Sequence, residues 1–405
     1  MPDLTERFRL LAEVPAPDLW PEIEVRMPRR PKEGRLRRVV GAGIAIAAAA
    51  AAIGFAVHSF GLGRGGPSPG TTPSSTPSSA PPVLDAQVTA SIPIGPRGQT
   101  PSVAYGAGSI WVAYYDTTPE QNGHLVRVDP ATDEVVDNVV VDTFPSWEVG
   151  GGGLTVAVGE VWITGSIASD RCPDPGPHPF QAALVRVDAT TDQPAQTICL
   201  GGRFGADVAI DDAGVWVLVF GRNDDRMEVV HVDPTTGDVL GRTELQQQYG
   251  HYLFAVGGSI VAGVNDVSPE GGVENALLAV IDPATGELRD TVPFHSYAWL
   301  ASDGGQLWAA TDDGLERLDP ATGVVTAGPF AVGTTGDALA AGPEAVAFLV
   351  PEGRRLFLMR LDPSTGERTE IEVHGTFEWN ALALAPGTLW GLSYDGTLYR
   401  VDLPG

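Results

Sequence analysis

The chain repeats one strand-and-turn unit seven times. Each unit has an apolar strand that ends in Asp, usually followed by Pro, and an earlier apolar strand that usually carries Trp. The turns begin at Asp129, Asp188, Asp233, Asp282, Asp319, Asp362 and Asp402. The earlier strands centre on Trp111, Trp162, Trp216, Val261, Trp308, Val346 and Trp390. A period of about 40–50 residues with several strands per unit indicates small sheets arranged in a ring.

The first unit shows how one repeat forms a sheet of four strands. Its predicted strands are Ser102–Gly106, Ile110–Tyr115, Leu125–Asp129 and Glu134–Val141. In the Asp-Pro-x-Thr-Gly turns, Pro fixes φ, the Asp carboxylate accepts backbone N–H groups, and Gly adopts the left-handed conformation. We therefore interpret the repeated Asp as a turn cap, not as a metal ligand or an acid. The repeated Trp has the large apolar area of a packing wedge between neighbouring sheets, rather than a ligand platform.

These repeats predict an all-β fold, a seven-bladed β-propeller over residues 84–405. The last unit ends after its third strand, at residues 399–402. An orphan strand, Ala86–Ile94, precedes the first unit and has the pattern of a fourth strand. We predict that the orphan strand completes the last blade, because closing the ring in this way removes exposed sheet edges.

A membrane segment is predicted before the ring. Residues 39–60 are almost wholly apolar, and about 20 such residues cross a bilayer as a helix. The preceding residues include Arg29, Arg30, Lys32, Arg35, Arg37 and Arg38. The positive-inside rule then places the N-terminus in the cytoplasm and the ring outside the cell membrane. A cleaved signal peptide is the rival interpretation, but its leading segment is rarely this long. Residues 61–83, rich in Pro, Ser and Thr, are predicted to be a disordered linker.

Residues 1–38 are predicted to be a short cytoplasmic segment with two amphipathic helices. Leu4, Phe8 and Leu11 recur at helical spacing after a capping box that begins at Asp3. Two such helices cannot form a core alone, so three alternatives stay open: docking on a cytoplasmic protein partner, lying on the membrane surface, or remaining unstructured. Residues 14–24 resemble the cytosolic leader of actinobacterial membrane-bound anti-sigma-factor-like proteins.

The charge distribution excludes nucleic acid as a partner of the ring. The whole chain has a net charge of −26. Residues 1–38 hold nine basic and seven acidic residues, which leaves sixteen basic and forty-four acidic residues, or −28, in the rest. A surface of this sign repels phosphate backbones. No His or Cys spacing typical of a metal site and no nucleotide-binding loop occurs, so we expect neither a metal nor a cofactor.

The two cysteines, Cys172 and Cys199, both belong to the second repeat. The predicted strand order places Cys172 between the second and third strands and Cys199 near the end of the fourth. Those positions share one face of the ring, so we predict a disulfide, which also fits an exported domain. Two buried inert thiols, or one reactive thiol, are the alternatives.

A candidate ligand site is predicted at one mouth of the central channel. The loops between blades share that face with the loops between second and third strands, whereas the Asp-Pro turns lie on the opposite face. The loops between blades gather aromatic, His, Glu and Arg residues, which suit a small-molecule pocket or a sugar-stacking surface. The candidates are Trp147, Glu148, Arg203, Tyr249, His251, Tyr252, His295, Tyr297, Trp299, His374, Glu378, Trp379 and Asn380. Packing of the loops against each other is the alternative role for these residues.

The stretches at residues 100–113 and 125–136 resemble bacterial YVTN-type and streptogramin-lyase-like propellers. The resemblance covers most of residues 84–405 and implies a seven-bladed ring outside the cytoplasm. Lyases of that group use His and Glu beside a metal at one mouth, but their motif matches no position here, so no catalytic residue is assigned.

Three functions are therefore considered. The first is a single-pass, membrane-anchored module that binds or senses a small molecule, a glycan or a protein outside the cell. The second is an anchored lyase or hydrolase that uses His251, His295, His374 or Glu378. The third is a scaffold for protein–protein contacts without chemistry of its own.

Overall fold

The computed structural model describes most of the chain from residue 83 to residue 403. The described ranges are 83–95, 99–115, 123–141, 153–174, 178–221, 226–268, 273–294, 299–311, 314–330, 338–343, 345–352, 355–362, 365, 367–373, 379–393 and 395–403. The predicted cytoplasmic segment 1–38, membrane helix 39–60 and nearly all of the linker 61–83 lie outside them. Within the described ranges, no helix has the length and apolarity needed to cross a membrane.

Almost all regular structure in the described ranges is β-strand, with one 3₁₀ turn at Ser169–Arg171. Two strands come before the first full repeat: β1 (Val83–Ala86) and β2 (Val88–Pro93). The first three repeats contain β3 (Gln99–Gly106), β4 (Ser109–Tyr115), β5 (Gly123–Asp129), β6 (Glu134–Val141), β7 (Leu154–Ala157), β8 (Glu160–Ala168), β9 (Phe180–Asp188), β10 (Pro194–Cys199), β11 (Gly205–Asp211), β12 (Gly214–Phe220), β13 (Met227–Val232) and β14 (Val239–Glu244).

The last four repeats contain β15 (Tyr249–Val256), β16 (Ser259–Val267), β17 (Val273–Ile281), β18 (Leu288–Pro293), β19 (Trp299–Ser302), β20 (Leu307–Thr311), β21 (Gly314–Leu318), β22 (Val325–Phe330), β23 (Leu339–Gly342), β24 (Ala345–Glu352), β25 (Arg355–Leu361), β26 (Arg368–Val373), β27 (Trp379–Ala385), β28 (Thr388–Ser393) and β29 (Thr397–Asp402).

The described strands form seven sheets in chain order, which we number blades 1 to 7. Each blade begins with its innermost strand: β3, β7, β11, β15, β19, β23 or β27. These inner strands contact one another in that order, and β27 contacts β3 again, so the ring is closed. The predicted seven-bladed β-propeller is confirmed.

Ring closure depends on the two strands that precede blade 1. β2 pairs antiparallel with β29, from Val88 opposite Val401 to Pro93 opposite Thr397, and so completes blade 7 as predicted. β1 adds a feature that was not predicted: it pairs in parallel with β26 and becomes a fifth strand on blade 6. One short stretch of chain therefore covers the outer edges of two neighbouring blades, which shields edges that would otherwise accept foreign strands.

The core lies between neighbouring blades. Trp111, Trp216, Trp308 and Trp390 are at most 1 % exposed and belong to apolar clusters that bridge adjacent sheets. The role of the repeated Trp as an interblade wedge is thus confirmed. The strand register corrects one member of the repeat, because Ala347 pairs with Arg360 as Trp111 pairs with Arg127. Ala347, rather than Val346, holds the Trp position in blade 6.

The repeated Asp caps its own turn, as predicted. The backbone N–H of Ala131 donates to Asp129 Oδ1 at 2.8 Å. Thr190 and Thr191 donate to Asp188 in the same way, at 2.8 and 2.9 Å. These backbone N–H groups hold the pKa of Asp188 below its ordinary value, since they stabilise the ionised carboxylate.

An arginine on the third strand contacts both the repeated Trp and a repeated Asp turn. In blades 1, 2 and 7 its guanidinium lies 5.4 to 5.9 Å from the ring centroid of the repeated Trp on the second strand. The pairs are Trp111–Arg127, Trp162–Arg186 and Trp390–Arg400. In blade 3, His231 takes this place and stacks on Trp216 with ring centroids 3.9 Å apart. The three arginines place a cation over an indole ring, and His231 makes an aromatic stacking contact in the same place.

The same arginines also reach the turn after the third strand of the next blade. Arg127 Nη1 lies 3.2 Å from Asp192 Oδ2, in the turn of blade 2. Arg186 Nη1 donates to the carbonyl of Pro234 in blade 3 at 2.6 Å. Arg400 Nη1 donates to the carbonyl of Pro130 at 3.0 Å and thereby joins blade 7 to blade 1. We call this repeated arrangement of Trp, Arg and neighbouring turn the interblade latch.

Candidate binding site at the channel mouth

The inner strands all begin at the same end of the ring, which is the face reached by the connections between blades. We call this end of the central channel the mouth, formed in the described residues by 203–207, 249–252, 299 and 379. Arg203 lies just before β11, and Tyr249 is the first residue of β15. Trp299 and Trp379 are the first residues of β19 and β27.

Six of the predicted candidates lie outside the described residues. They are Trp147, Glu148, His295, Tyr297, His374 and Glu378. Asn380 belongs to β27, but its side chain is not among those that the structure describes.

Trp379 belongs to the core rather than to an open surface. It is 3 % exposed, and its ring stacks on Tyr399 at 6.2 Å. Gly391 on β28 makes room for it, because a Cβ there would lie 2.2 Å from Trp379 Cε3. A ring buried in this way presents no face to a ligand. Trp379 therefore contributes to packing and not to the surface of the mouth. Trp299 is half-buried and packs against the cluster between blades 5 and 6.

Arg203 lies in an aromatic group at the start of blade 3. Its guanidinium carbon is 5.2 Å from the ring centroid of Phe220, and its backbone N–H donates to the Phe220 carbonyl at 2.9 Å. Phe204 and Tyr249 flank the same ring, at centroid distances of 4.9 and 6.3 Å. This packing fixes Arg203 and Tyr249, both half-buried, at the rim of the mouth.

His251 projects from a β-bulge. The pairing of β15 with β16 skips it, since Gly250 lies opposite Val264 and Tyr252 opposite Gly263. A bulged residue leaves the ladder and turns its side chain away from the regular pattern. His251 is exposed, and its ring meets Tyr252 edge-on at 6.3 Å.

Tyr252 spans the joint between blades 4 and 5. It is half-buried, stacks on Phe254 at 6.1 Å, and its hydroxyl accepts the backbone N–H of Leu300 on β19. Burial raises the pKa of the phenol above its ordinary value, and the negative charge of Asp207 adds to that rise. Tyr252 is therefore neutral at physiological pH.

Asp207, on β11, was missed by the sequence reasoning. Its Oδ2 accepts the backbone N–H of Leu253 on β15 at 2.8 Å, and its Oδ1 accepts the N–H of Val208 at 2.8 Å. Asp207 thus joins blades 3 and 4 at the level where Tyr252 joins blades 4 and 5. On its other side β11 runs close to blade 2, because a Cβ on Gly153 would lie 2.5 Å from Asp207 Cα.

Burial raises the pKa of the Asp207 carboxyl to about 7, against the lowering effect of the two N–H groups. The residue keeps some solvent-exposed surface even though protein surrounds it, as its place on an inner strand allows. A carboxyl with this pKa changes its charge near neutral pH, which an exposed Asp does not do.

Asp207 stands out when the seven inner strands are aligned by their pairing with the second strands of their blades. The strand registers align it with Ser102, Gly153, Tyr252, Trp299, Ala338 and Ala381. Asp207 is the acid in a set of small and aromatic residues.

Cys172 and Cys199 form a disulfide, with their Cα atoms 5.9 Å apart. The bond ties the connection between β8 and β9 to the end of β10, and it packs against Ile167 and Ala183. A cavity of about 570 Å³ lies beside it on the outer rim, lined mainly by polar groups such as Gln181 and Gln196.

Metal chemistry finds no support within the described ranges, where no three His, Cys, Asp or Glu side chains come together in a way that could hold an ion. The hypothesis of an enzyme depends mainly on His295, His374 and Glu378, which lie outside those ranges.

The ring and its mouth define the chain as a β-propeller protein. No protein-family model matches the sequence, and no curated protein matches it. Solved structures with a similar fold include the WD40 domain of Neurospora crassa Pan2, at a TM-score of 0.60 and 10 % identity over 80 % of this chain and 98 % of that one.

Two further solved structures show the same likeness. The β-propeller domain of Myceliophteria thermophila Cps50 (Swd1) has a TM-score of 0.54 and 13 % identity, over 79 % of this chain and 100 % of that one. A chain of the mitotic checkpoint complex has a TM-score of 0.55 and 11 % identity, over 86 % of this chain and 100 % of its own length. Likeness at these identities shows the fold alone.

Proposed function

We propose that the ring is an interaction module that binds a protein partner at the mouth. The observation that carries this proposal is the contrast between the two faces. On the face of the Asp-Pro turns, the repeated carboxylates are satisfied by their own backbone N–H groups. At the mouth, Arg203, Tyr249 and His251 remain partly or fully exposed around the channel.

The composition of this rim suits protein recognition. Arginine and tyrosine are enriched in the energetically important centres of protein–protein interfaces. The fold supports the same reading, since one of the similar chains comes from the mitotic checkpoint complex, which is a protein assembly. The aromatic group around Phe220 holds the rim rigid, so little order has to be gained on binding.

We also propose that the ring lies outside the cytoplasm on a single membrane helix at residues 39–60. The apolar stretch and the basic residues before it support the anchor and its orientation. The disulfide supports the location of the ring, because such bonds persist in oxidising compartments and are rare in the cytosol.

Site-specific photo-crosslinking tests the binding face. A benzophenone amino acid replaces His251 at the mouth, and matched controls carry it at Thr235 on the opposite face and at Leu240 on the outer rim, all of which are exposed. We expect a protein adduct from the His251 position alone. Adducts from Thr235 or Leu240 with none from His251 would overturn the proposal.

Vesicles of known orientation test the membrane placement. When the cytoplasmic face points outward, we expect added protease to leave the ring intact and alkaline carbonate to leave the chain in the membrane. Release by carbonate would contradict the anchor. Free thiols at Cys172 and Cys199 in chain isolated under alkylating conditions would contradict the oxidising compartment.

A further inference from the structure

The carboxylate of Asp207 is held in the channel wall without a cation against it. The partners that the structure gives it are two backbone N–H groups, and no Lys, Arg or His of the described ranges pairs with it. A carboxylate accepts up to about four hydrogen bonds, so half of its capacity is unused. Burying a charge without a counter-ion is costly, and that cost is the reason for the raised pKa of this group.

We propose that the mouth receives a basic side chain, Lys or Arg, from a protein partner, and that Asp207 is its counter-ion inside the channel. This inference rests on the proposed function, because it names the chemistry of the partner's contact. Asp207 contributes the specificity of the site, while Arg203, Tyr249 and His251 form its rim.

The position of Asp207 suits a long basic side chain. Asp207 is the third residue of β11, so it lies roughly 7 Å along the strand from Gly205, at the level of Tyr252 and Trp299 within the mouth. Lys and Arg carry their charge on an aliphatic stem of three or four carbons and place the stem along apolar surface. Gly153 packs against the carboxylate itself, since a Cβ there would lie 2.4 Å from Asp207 Oδ1, and Tyr252 is close enough to interact with it electrostatically.

The electrostatic surroundings favour a cation over an anion. The chain beyond residue 38 carries a net charge of −28, which raises the local concentration of cations near a narrow channel. Tyr252 is the titratable group that couples to Asp207, and it stays neutral; Gly153 and Leu253 contribute only backbone at this point. The face of an aromatic ring also attracts a cation. A bound guanidinium would hold Asp207 ionised and remove the cost of its unpaired charge.

Binding of a small cation tests the site directly. The probe is Nα-acetyl-arginine amide, titrated into the full-length chain and observed by ligand NMR. Its neutral analogue, Nα-acetyl-citrulline amide, has the same shape without the charge. Because Asp207 must be ionised and its pKa is about 7, we expect the affinity for the arginine amide to rise about tenfold from pH 6 to pH 8. We expect no such rise for the citrulline amide.

Two variants assign that affinity to its residue. Asp207→Asn keeps an oxygen that can accept the Leu253 N–H, and we expect it to bind the arginine amide at least about tenfold more weakly and independently of pH. Glu274→Gln removes one negative charge from an exposed position on the same side of the ring and should keep the wild-type profile. Equal binding at pH 6 and pH 8 in the wild-type chain, which needs no variant, overturns the proposal. So does undiminished binding by Asp207→Asn.

Failure of this inference can be told apart from failure of the proposed function. If the arginine amide does not bind while the His251 crosslinker still captures a protein, the partner uses the rim without Asp207. If the amide binds with the expected pH profile while the crosslinks come from Thr235 or Leu240, the cation site exists but the partner binds elsewhere.

Discussion

Arg400 makes the interblade latch at the point where the ring closes. Arg400→Ala would remove its hydrogen bonds to Asp133 Oδ1 at 2.9 Å and to the Pro130 carbonyl at 3.0 Å, both in blade 1. It would also remove the hydrogen bond to Asp402 Oδ1 at 2.9 Å and the cation–π contact with Trp390 at 5.8 Å. The guanidinium side chain is 22 % exposed, so these contacts are only partly screened by water.

The expected loss follows from these contacts. The carbonyl hydrogen bond contributes about 1 kcal/mol and the contact with Trp390 about 0.5–1 kcal/mol. The Asp133 carboxylate is 29 % exposed, so we assign its pair about 1 kcal/mol; Asp402 is 52 % exposed and its pair contributes close to nothing. The total loss in the free energy of unfolding is therefore about 2–3 kcal/mol.

Arg289→Ala is the matched control. Arg289 also pairs with the Asp of an Asp-Pro turn, at 2.9 Å from Nε to Asp282 Oδ2, but it is 49 % exposed and the turn belongs to its own blade. We expect a loss below about 1 kcal/mol. Urea unfolding of the full-length variants, followed by tryptophan fluorescence, measures both losses. If Arg400→Ala destabilises the protein no more than Arg289→Ala does, the latch is not what holds blade 7 to blade 1.

Three further predictions concern pH, the disulfide and packing. The pKa of Asp207 is about 7 in the folded ring and near 3.9 in an unfolded chain, so the folded state binds more protons between those values and this carboxyl's contribution to stability falls as pH rises through them. Relative to wild type, Asp207→Asn should therefore gain about 2–4 kcal/mol of unfolding free energy from pH 4 to pH 8. Replacing both Cys172 and Cys199 by Ser should cost about 2–4 kcal/mol in urea unfolding. Gly391→Ala should cost about 1–3 kcal/mol in the same assay, because its Cβ would overlap the ring of Trp379.

Each of these predictions has a control or a contradicting result. Stability curves of wild type and Asp207→Asn that stay parallel from pH 4 to pH 8 would show that this carboxyl does not titrate near 7. Reductant should destabilise the wild-type chain as much as the double Ser variant; a variant as stable as the oxidised protein would contradict the disulfide's contribution. Gly342→Ala is the packing control, because its nearest neighbour, Leu384, lies at an ordinary 3.7 Å and the change should be close to neutral.

The repeat predicted the fold well because its signal is local. Trp111 and Asp129 mark a strand and a turn by their own chemistry, so their roles as wedge and cap could be inferred from neighbours in the sequence. The closing strand β2 was predicted from the gap in the last repeat. The parallel strand β1 was not, since a short stretch with no antiparallel partner next to it in sequence gives no pairing signal.

The candidate site was less predictable because it depends on register. Trp379 was predicted to face a ligand, but Gly391 across the ladder leaves a space that takes its ring. For the Trp position of blade 6, the sequence pattern favoured Val346 over Ala347, because Val is the larger apolar residue. Arg127 and its equivalents look like ordinary strand residues until the sheets bring them over Trp and next to a turn of the following blade.

The sequence by itself therefore determined the number of blades, the position of each turn and the completion of blade 7 by β2, because the repeat, its turns and the missing strand of its last copy are visible along the chain. Only the tertiary structure decided which side chains share the channel wall. Asp207 acquires its raised pKa from burial where β11 packs against β15 and against Gly153, and this rise exceeds the lowering by the N–H groups of Leu253 and Val208. Burial is a property of the closed ring, and an acid in an isolated strand has an ordinary pKa.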